Sequence, residues 1–313
     1  MDIGGASVQK GRIKRFIAVL ITACLAAALA APAYADVKPL GLDLTVHGQP
    51  LREDGWIEPD VEYKDESIHV VLTTERYKSV YVRTLVVEIA DPSQLRSTLS
   101  YEKFEGQDYA KARDMAKSVN AVAALNDDFV KFNKYQGYVM RQGVFYQDTL
   151  EKLEKPQDVL IIDDQGDFYT VIKASTKTME EKLAELDENG RKPVNIFTFG
   201  PTLVLDGQPL DCPWEDSIHS MHLPGARAAI GQLGHLKYFI MAVDGKMSEH
   251  TGMTGNQLAE FIAEHFPECS VAYNLDGGNS SHLIFGGKEI NHAGGQNRKA
   301  SGLIYFASAA SED

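Results

Sequence analysis

The stretch 271–281 brings together residue types that suit an active site at the end of a strand. Residues of strand character run into polar and glycine positions: Asn274, Asp276, Gly277, Gly278, Ser280 and Ser281. This order predicts a carboxylate and a carboxamide beside a turn whose backbone N–H groups can approach an anionic ligand closely. A carboxylate and a carboxamide in such a place are typical of the edge of an active site. An ordinary Asp-Gly turn with serines uses the same residue types, so this stretch alone leaves both interpretations open.

Three more polar positions follow or begin predicted strands. The segment 126–128, which contains Asn126 and Asp128, follows the apolar run 121–125, Arg227 begins a strand, and Asp244 ends one. Each has an ordinary alternative, because a lone Arg often forms a structural ion pair and Asp-Gly often forms a turn. The stretch 294–299 is either a basic segment over a phosphate or a flexible loop.

The elements that must position these residues are mostly strands. Alternating or continuous apolar runs predict strands, several of them in hairpins, at 68–72, 80–89, 121–125, 137–145, 158–172, 196–199, 203–205, 227–230, 236–243, 271–275, 283–285 and 302–306. Helices are predicted over 109–119, 178–186 and 254–266, and the last begins with a Thr254/Gln257 capping box and ends at Pro267. We expect an α+β fold with a mixed, largely antiparallel sheet in a single catalytic domain, because the strict βα alternation of Rossmann folds and barrels is absent.

The first 35 residues predict a signal peptide. Basic residues between Lys10 and Arg15 precede an apolar run over 16–31 and the small-residue pattern Ala33-Tyr34-Ala35. Lipidation at Cys24 and a retained anchor are alternatives, although the run is shorter than the ~20 residues that span a bilayer. We therefore expect a secreted or extracytoplasmic protein with an N-terminal extension over 36–70, a catalytic domain over 71–313 and no stable membrane span after cleavage.

Composition narrows the function classes. A hydrophobic share of 44% and a charged share of 24% are typical of a globular protein with an ample core. The formal net charge of −13, which loss of the basic leader makes more negative, argues against nucleic acid or an anionic surface as a partner. An acidic chain that handles a phosphate must do so with local basic residues.

The cysteines and histidines indicate no zinc site. Only Cys212 and Cys269 remain after cleavage, and their pairing stays open because the sequence does not show that they are close. Neither Cys-x-x-Cys nor His-x-x-x-His spacing occurs. No cofactor is expected to be required, although a structural divalent cation fits the many acidic side chains.

Six separated motifs, taken in order, resemble the phosphodiester glycosidase family. They lie at 124–129, 199–204, 227–231, 243–246, 252–254 with the following helix, and 274–281, within a core of 115–307. The chain departs from the family pattern at Asp127, Ala226, Ala228, Lys246, Asn279 and His282. We expect those departures to change which substrate is bound rather than the fold.

The resemblance implies hydrolysis of a sugar-1-phosphodiester between the anomeric carbon and the phosphate oxygen. It implies Asp276 as nucleophile or base, Asp128 as second carboxylate and Asp244 as a third candidate. Arg227 is expected to bind the phosphate, because a guanidinium contacts phosphate oxygens in pairs. The remaining substrate-binding candidates are Asn126, Asn274, Gly277, Gly278, Ser280, Ser281 and His282.

Two other functions remain open. A divalent-metal phosphodiesterase would use Asp127, Asp128, Asp244 and Asp276 as hard oxygen ligands. A non-catalytic protein that binds a glycan phosphate would keep the fold and change the site. The expected partner in each case is a sugar phosphate or an envelope glycan, by analogy with exopolysaccharide-associated bacterial members of the family. The sugar, its leaving group, the stereochemical course and the oligomeric state stay open.

Overall fold

The computed structural model describes residues 34, 37–106, 108–128, 137–150, 157–212, 220–245, 251–294 and 298–311. The predicted leader, apart from Tyr34, lies outside the described residues, as do Phe129, Lys246 and most of the predicted loop 211–223. Residues from Tyr34 onward belong to one compact unit.

A nine-stranded sheet is the central element of this unit. Its strands in spatial order are β1 (Trp56–Glu58), β2 (Glu62–Lys64), β3 (Ile68–Tyr77), β4 (Val80–Ile89), β15 (Lys237–Val243), β14 (Arg227–Gly234), β16 (Val271–Leu275), β12 (Thr202–Leu205) and β13 (Gln208–Pro209). The predicted N-terminal extension contributes β1, β2 and the start of β3, so its described part completes one edge of this sheet.

Two five-stranded sheets pack against one face of the large sheet. One contains β10 (Phe168–Val171), β9 (Asp158–Asp163), β11 (Pro193–Phe199), β7 (Gly137–Arg141) and β8 (Val144–Thr149). The other contains β18 (Lys288–Glu289), β17 (Leu283–Phe285), β6 (Ala121–Asn126), β19 (Gly302–Ala307) and β5 (Leu95–Leu99). A core cluster with residues from all three sheets joins them.

Within the described residues, three α-helices cover the outer faces of the sheets. They are α1 (Ala112–Ser118), α2 (Thr176–Glu188) and α3 (Gly255–His265). The predicted capping box of α3 is present: Gln257 N–H donates to Thr254 Oγ1 at 3.2 Å, and Thr254 N–H donates to Gln257 Oε1 at 3.0 Å. These two bonds satisfy backbone donors that the first turn would otherwise leave unpaired.

The continuous apolar run of β15 shows why the large sheet needs cover on both faces. Tyr238 and Ile240 belong to the core cluster shared by the three sheets, whereas Phe239 and Met241 pack in a second cluster with α3. Successive side chains of a strand point to opposite faces, so an unbroken apolar run is buried only between two layers. The run therefore positions α3 over the large sheet.

The α+β fold class is confirmed. Every pairing between the described strands is antiparallel, and the strands form three sheets rather than the one mixed sheet expected. Within the described ranges, no helix combines the length and the apolar character that crossing a membrane requires. Cys212 and Cys269 are both buried as free thiols.

Candidate active site

A cavity of about 490 Å³ opens where β14 begins and β16 ends. Its walls combine a loop that includes Ser220, Leu223 and Pro224, the ends of β14 and β16, and Arg298 from the C-terminal part of the chain. Four residues named from the sequence as substrate-binding candidates line it, together with the candidate catalytic carboxylate: Arg227, Asn274, Gly277, Gly278 and Asp276. The structure thus brings together the two strand ends that carry the main candidates.

Strand register explains why Arg227 and Asp276 meet. Ala228 pairs with Leu275 in the antiparallel ladder of β14 and β16, so the next position outward places Arg227 across from Asp276. Gly277 follows Asp276 where the backbone passes close to the residue before β14: a Cβ at this position would lie 2.9 Å from the Ala226 carbonyl oxygen. A side chain there would push the two strand ends apart.

Arg227 is a buried cation held by neutral groups. Its Nε donates to the Met253 carbonyl at 2.9 Å, and its Nη2 donates to the Leu223 and Ser220 carbonyls at 2.5 and 3.2 Å. Among the described residues, no carboxylate lies within ion-pair distance of this guanidinium. Burial lowers the pKa of Arg227 to about 10, against the opposing effect of Cys212. A buried charge of this kind is stabilised by an anion in the cavity.

Asp276 is the carboxylate of the cavity. Its backbone carbonyl accepts a hydrogen bond from Asn126 Nδ2 at 2.7 Å, which fixes the chain just beyond β16. Burial raises the pKa of Asp276 to about 6, the Asp127 charge acts in the same direction, and the Ser280 hydroxyl and Arg298 lower it. The side chain is partly exposed, so it can meet both solvent and a ligand.

Asn274 presents an unused acceptor. Its Nδ2 donates to the Gly200 carbonyl at 2.7 Å, whereas its Oδ1 accepts no hydrogen bond from the described residues. A buried carbonyl oxygen without a donor is costly, and a ligand hydroxyl would satisfy it.

The other amide candidate, Asn126, is fully engaged inside the protein. Besides donating to the Asp276 carbonyl, it accepts from His282 N–H at 2.9 Å. Asn126 therefore connects the end of β6 to the turn after β16, and it lies outside the cavity lining. His282 is also buried, with both ring nitrogens in hydrogen bonds to Glu289 and to the Arg298 carbonyl.

The glycine-serine turn folds differently from the expected anion cradle. The N–H groups of Ser280 and Ser281 donate to the Gly277 and Gly278 carbonyls around a short 3-10 turn, and the Gly278 N–H donates to the Ala226 carbonyl just before β14. The Ser280 hydroxyl accepts a long 3.4 Å hydrogen bond from Arg298 Nη1. The buried Ser281 hydroxyl has no partner among the described residues.

Asp128 lies in a separate, sealed cluster. Its Oδ1 accepts from Arg141 Nη2 at 2.6 Å, its Oδ2 accepts from Thr198 N–H at 3.0 Å, and the same Arg141 nitrogen lies 3.4 Å from Asp127 Oδ2. Both Asp128 and Arg141 are fully buried. Burial raises the pKa of Asp128, Arg141 opposes that shift, and the Asp127 charge adds to it. The structure does not bring this carboxylate to the cavity wall.

Asp244 is likewise engaged away from the cavity. Its Oδ1 accepts from Arg83 Nη1 at 2.6 Å and from His292 N–H at 2.9 Å. The carboxylate thus closes an ion pair with β4 and fixes the chain near His292. Across the described ranges, no three His, Cys, Asp or Glu side chains converge as a metal-binding group.

Two arginines add to what the sequence indicated. Arg298, from the stretch 294–299, lines the cavity with Arg227, while residues 295–297 lie outside the described residues. Arg141 was placed only in a predicted hairpin turn, yet its side chain neutralises the cluster around Asp128. No local pattern distinguishes such an Arg from a surface one, because its partners come from β6 and β11.

In this antiparallel α+β protein, one cavity contains a carboxylate and a guanidinium that has no carboxylate partner among the described residues, and such an arrangement suits an anionic ligand. Residues 119–307 match the model of the phosphodiester glycosidase family, and the chain belongs to that family. This match confirms the resemblance that the six motifs indicated.

The individual relatives share less than a third of their residues with this chain. An uncharacterized SPbeta prophage-derived protein of Bacillus subtilis, YomE, is 28% identical over 225 residues, which cover 70% of this chain and 32% of that protein. The chain thus spans about a third of that relative. The catalytic domain of zebrafish N-acetylglucosamine-1-phosphodiester alpha-N-acetylglucosaminidase, auto-inhibited by its pro-peptide, superposes with a TM-score of 0.57 at 17% identity, over 84% of this chain and 87% of that one. A hypothetical protein from Synechocystis gives a TM-score of 0.48 at 14% identity, over 77% of this chain and 62% of that one.

Proposed function

We propose that this protein is an extracytoplasmic hydrolase that cleaves the glycosidic C–O bond of sugar-1-phosphodiesters. The observation that carries the proposal is the buried Arg227 guanidinium, which has no carboxylate partner among the described residues and lies across from Asp276 in one cavity. Family membership supports the same class of reaction.

In this proposal Arg227 binds the phosphate. A phosphodiester carries one negative charge, which balances one guanidinium, and the burial of Arg227 strengthens their attraction. The carbonyl partners of Arg227 hold its plane fixed before substrate arrives, so little reorganisation accompanies binding.

Asp276 acts on the sugar. Its carboxylate attacks the anomeric carbon, or removes a proton from the water that does, as the C–O bond breaks and its electron pair passes to the phosphate oxygen. The overall reaction adds water across that bond and releases the free sugar and a phosphomonoester. Phosphate is a good leaving group, so the reaction does not require a strong general acid in the cavity.

The remaining candidates take supporting roles. Asn274 Oδ1 accepts a hydrogen bond from a sugar hydroxyl, since it has no donor among the described residues. Asn126 positions Asp276 through its backbone carbonyl. We reassign Asp128 and Asp244 from catalysis to structure, because Arg141 and Arg83 already hold them.

For the substrate, we propose an N-acetylglucosamine-1-phosphodiester or a related envelope glycan phosphate. The zebrafish protein of similar fold is an N-acetylglucosamine-1-phosphodiester glycosidase by name. The predicted signal peptide would deliver this chain to compartments where envelope polymers lie.

Turnover of a panel of sugar-1-phosphodiesters by residues 36–313, with and without EDTA, tests the proposal. Free sugar and a phosphomonoester, formed equally well with EDTA, are the expected products. Sugar-1-phosphate would instead show cleavage of the other ester bond, and with EDTA inhibition it would identify a metal phosphodiesterase. Binding of the panel without turnover would identify a glycan-phosphate binding protein.

A further inference from the structure

His282 lies between two hydrogen-bond acceptors. Its Nδ1 is 2.8 Å from Glu289 Oε1, and its Nε2 is 2.6 Å from the carbonyl oxygen of Arg298. A carbonyl and an ionised carboxylate only accept hydrogen bonds, and a neutral imidazole has only one N–H to donate. Both bonds form with an ionised Glu289 only when His282 carries protons on both nitrogens.

The fold fixes this arrangement. Strands β17 and β18 are joined by Gly286 and Gly287, whose φ angles of 55° and 71° suit a tight two-residue hairpin turn. The hairpin register pairs Ile284 with Glu289, and the Glu289 side chain reaches back to His282, which immediately precedes β17. His282 is only 2% exposed, so its ring cannot exchange these partners for water unless the structure opens locally.

The result is a fixed backbone at Arg298. Its N–H donates to the Asn279 carbonyl at 2.9 Å, and its carbonyl is held by His282. From this position the guanidinium lines the cavity beside Arg227, and its Nη1 donates to the Ser280 hydroxyl. Arg298 is exposed at the rim, whereas Arg227 is buried in the wall.

We propose that Arg298 is a second phosphate-binding residue, directed at the charge that develops as the leaving group departs, and that His282 and Glu289 are its positioning residues. The inference rests on the proposed function. The substrate phosphodiester has one negative charge, which Arg227 already balances. When the C–O bond breaks, its electron pair passes to the phosphate oxygen, and the departing phosphomonoester carries a second charge. A guanidinium that meets this second charge stabilises the transition state more than the bound substrate.

The positioning depends on both N–H groups of the ring. With only one of them present, a lone pair faces either the Glu289 carboxylate or the Arg298 carbonyl, so the backbone of Arg298 is held less firmly.

Equilibrium binding of two small esters tests the inference without relying on turnover. Methyl phosphate is mostly a dianion at pH 7.5 and represents the leaving group, whereas dimethyl phosphate is a monoanion and represents the substrate. We expect Arg298→Gln to weaken the binding of methyl phosphate by about tenfold or more. The same variant should weaken the binding of dimethyl phosphate by less than about threefold. Lys299→Gln is the matched control, since it removes the same charge one residue away and does not line this cavity.

Variants of the positioning pair sharpen the test. His282→Leu should weaken the binding of methyl phosphate by the same factor as Arg298→Gln does. The double variant should show no further loss of affinity. Glu289→Gln should retain the affinity for methyl phosphate, because a Gln amide donates to Nδ1 of a neutral ring and leaves Nε2–H to donate to the Arg298 carbonyl. This rescue would not occur if His282 and Glu289 only stabilised the fold, and nitrogen NMR of His282 reports its proton count directly.

The outcomes separate this inference from the proposed function. Equal losses for both esters in Arg298→Gln, or no loss, would overturn the inference even where turnover is normal. A wild-type protein that binds both esters with the expected Arg298 selectivity but hydrolyses no sugar-1-phosphodiester would overturn the proposed function alone. Failure of wild-type protein to bind either ester would overturn the inference, whereas turnover of the sugar-1-phosphodiester panel would still decide the proposed function.

Discussion

Two sets of Asp and Arg residues lie at strand ends in this protein, and they are arranged in opposite ways. Around Asp128, one fully buried guanidinium from Arg141 serves two carboxylates, and a backbone N–H completes the cluster. In the cavity, Arg227 and Asp276 lie across from each other without an ion pair, and the described hydrogen-bond partners of Arg227 are carbonyl oxygens. The first set is satisfied by groups of the protein, whereas in the proposed function the second set meets a ligand.

We propose that this difference separates structural charges from charges that meet a ligand. Leaving a buried charge without a partner costs several kcal/mol, and a ligand that supplies the partner removes that cost. Active sites often reduce stability in this way. Variants of the two sets should therefore affect different properties: activity in the cavity and stability in the sealed cluster.

The largest effect is expected from Asp276→Asn. Removal of the attacking or proton-accepting carboxylate should lower kcat by roughly 10³-fold or more. Asp276→Ala is measured beside it, because an Asn before Gly can deamidate back to Asp. The control Asp206→Asn changes an exposed Asp-Gly turn outside the cavity and should leave kcat unchanged. Near-normal turnover by both Asp276 variants would refute the assignment.

The sealed cluster should respond in stability. Arg141→Met leaves Asp127 and Asp128 buried with no cation, and we expect it to lower the free energy of unfolding by about 3–5 kcal/mol. Urea unfolding measures this loss. Turnover per folded molecule should remain close to that of wild type, and a specific loss of kcat in fully folded protein would place this cluster in the chemistry.

Arg227→Lys should have an intermediate effect on activity. Lysine keeps the charge but loses the planar fork, so we expect kcat/KM to fall by roughly 10²-fold. The same change at Arg83, which lies in the ion pair with Asp244 and outside the cavity, is the matched control. Similar losses at both positions would mean that Arg227 has no special role with the phosphate.

Much of this arrangement followed from the sequence, and the exceptions have one physical cause. The capping box of α3 and the apolar runs of β6, β15 and β16 are local signals, because the residues that define them are neighbours in the chain. The sequence also placed Asn126 and Asn274 at strand ends. It did not show that Arg141, in a predicted turn, would neutralise Asp128. Which carboxylate pairs with an arginine depends on side chains from distant strands. Neighbouring residues in the sequence do not indicate those contacts.

The smallest effect expected is a gain in stability from Asp276→Asn. Burial raises the pKa of Asp276 from 3.8 to about 6, so protonation is easier in the folded protein than in the unfolded chain. The wild-type carboxyl therefore favours folding while protonated, loses that contribution between pH 3.8 and 6, and opposes folding above pH 6 relative to a neutral side chain. At pH 8 the variant should be more stable by about 1–3 kcal/mol, with the difference disappearing near pH 4. Urea unfolding at pH 4, 6 and 8 measures it, and a gain independent of pH would show that ionisation of the Asp276 carboxyl is not its cause.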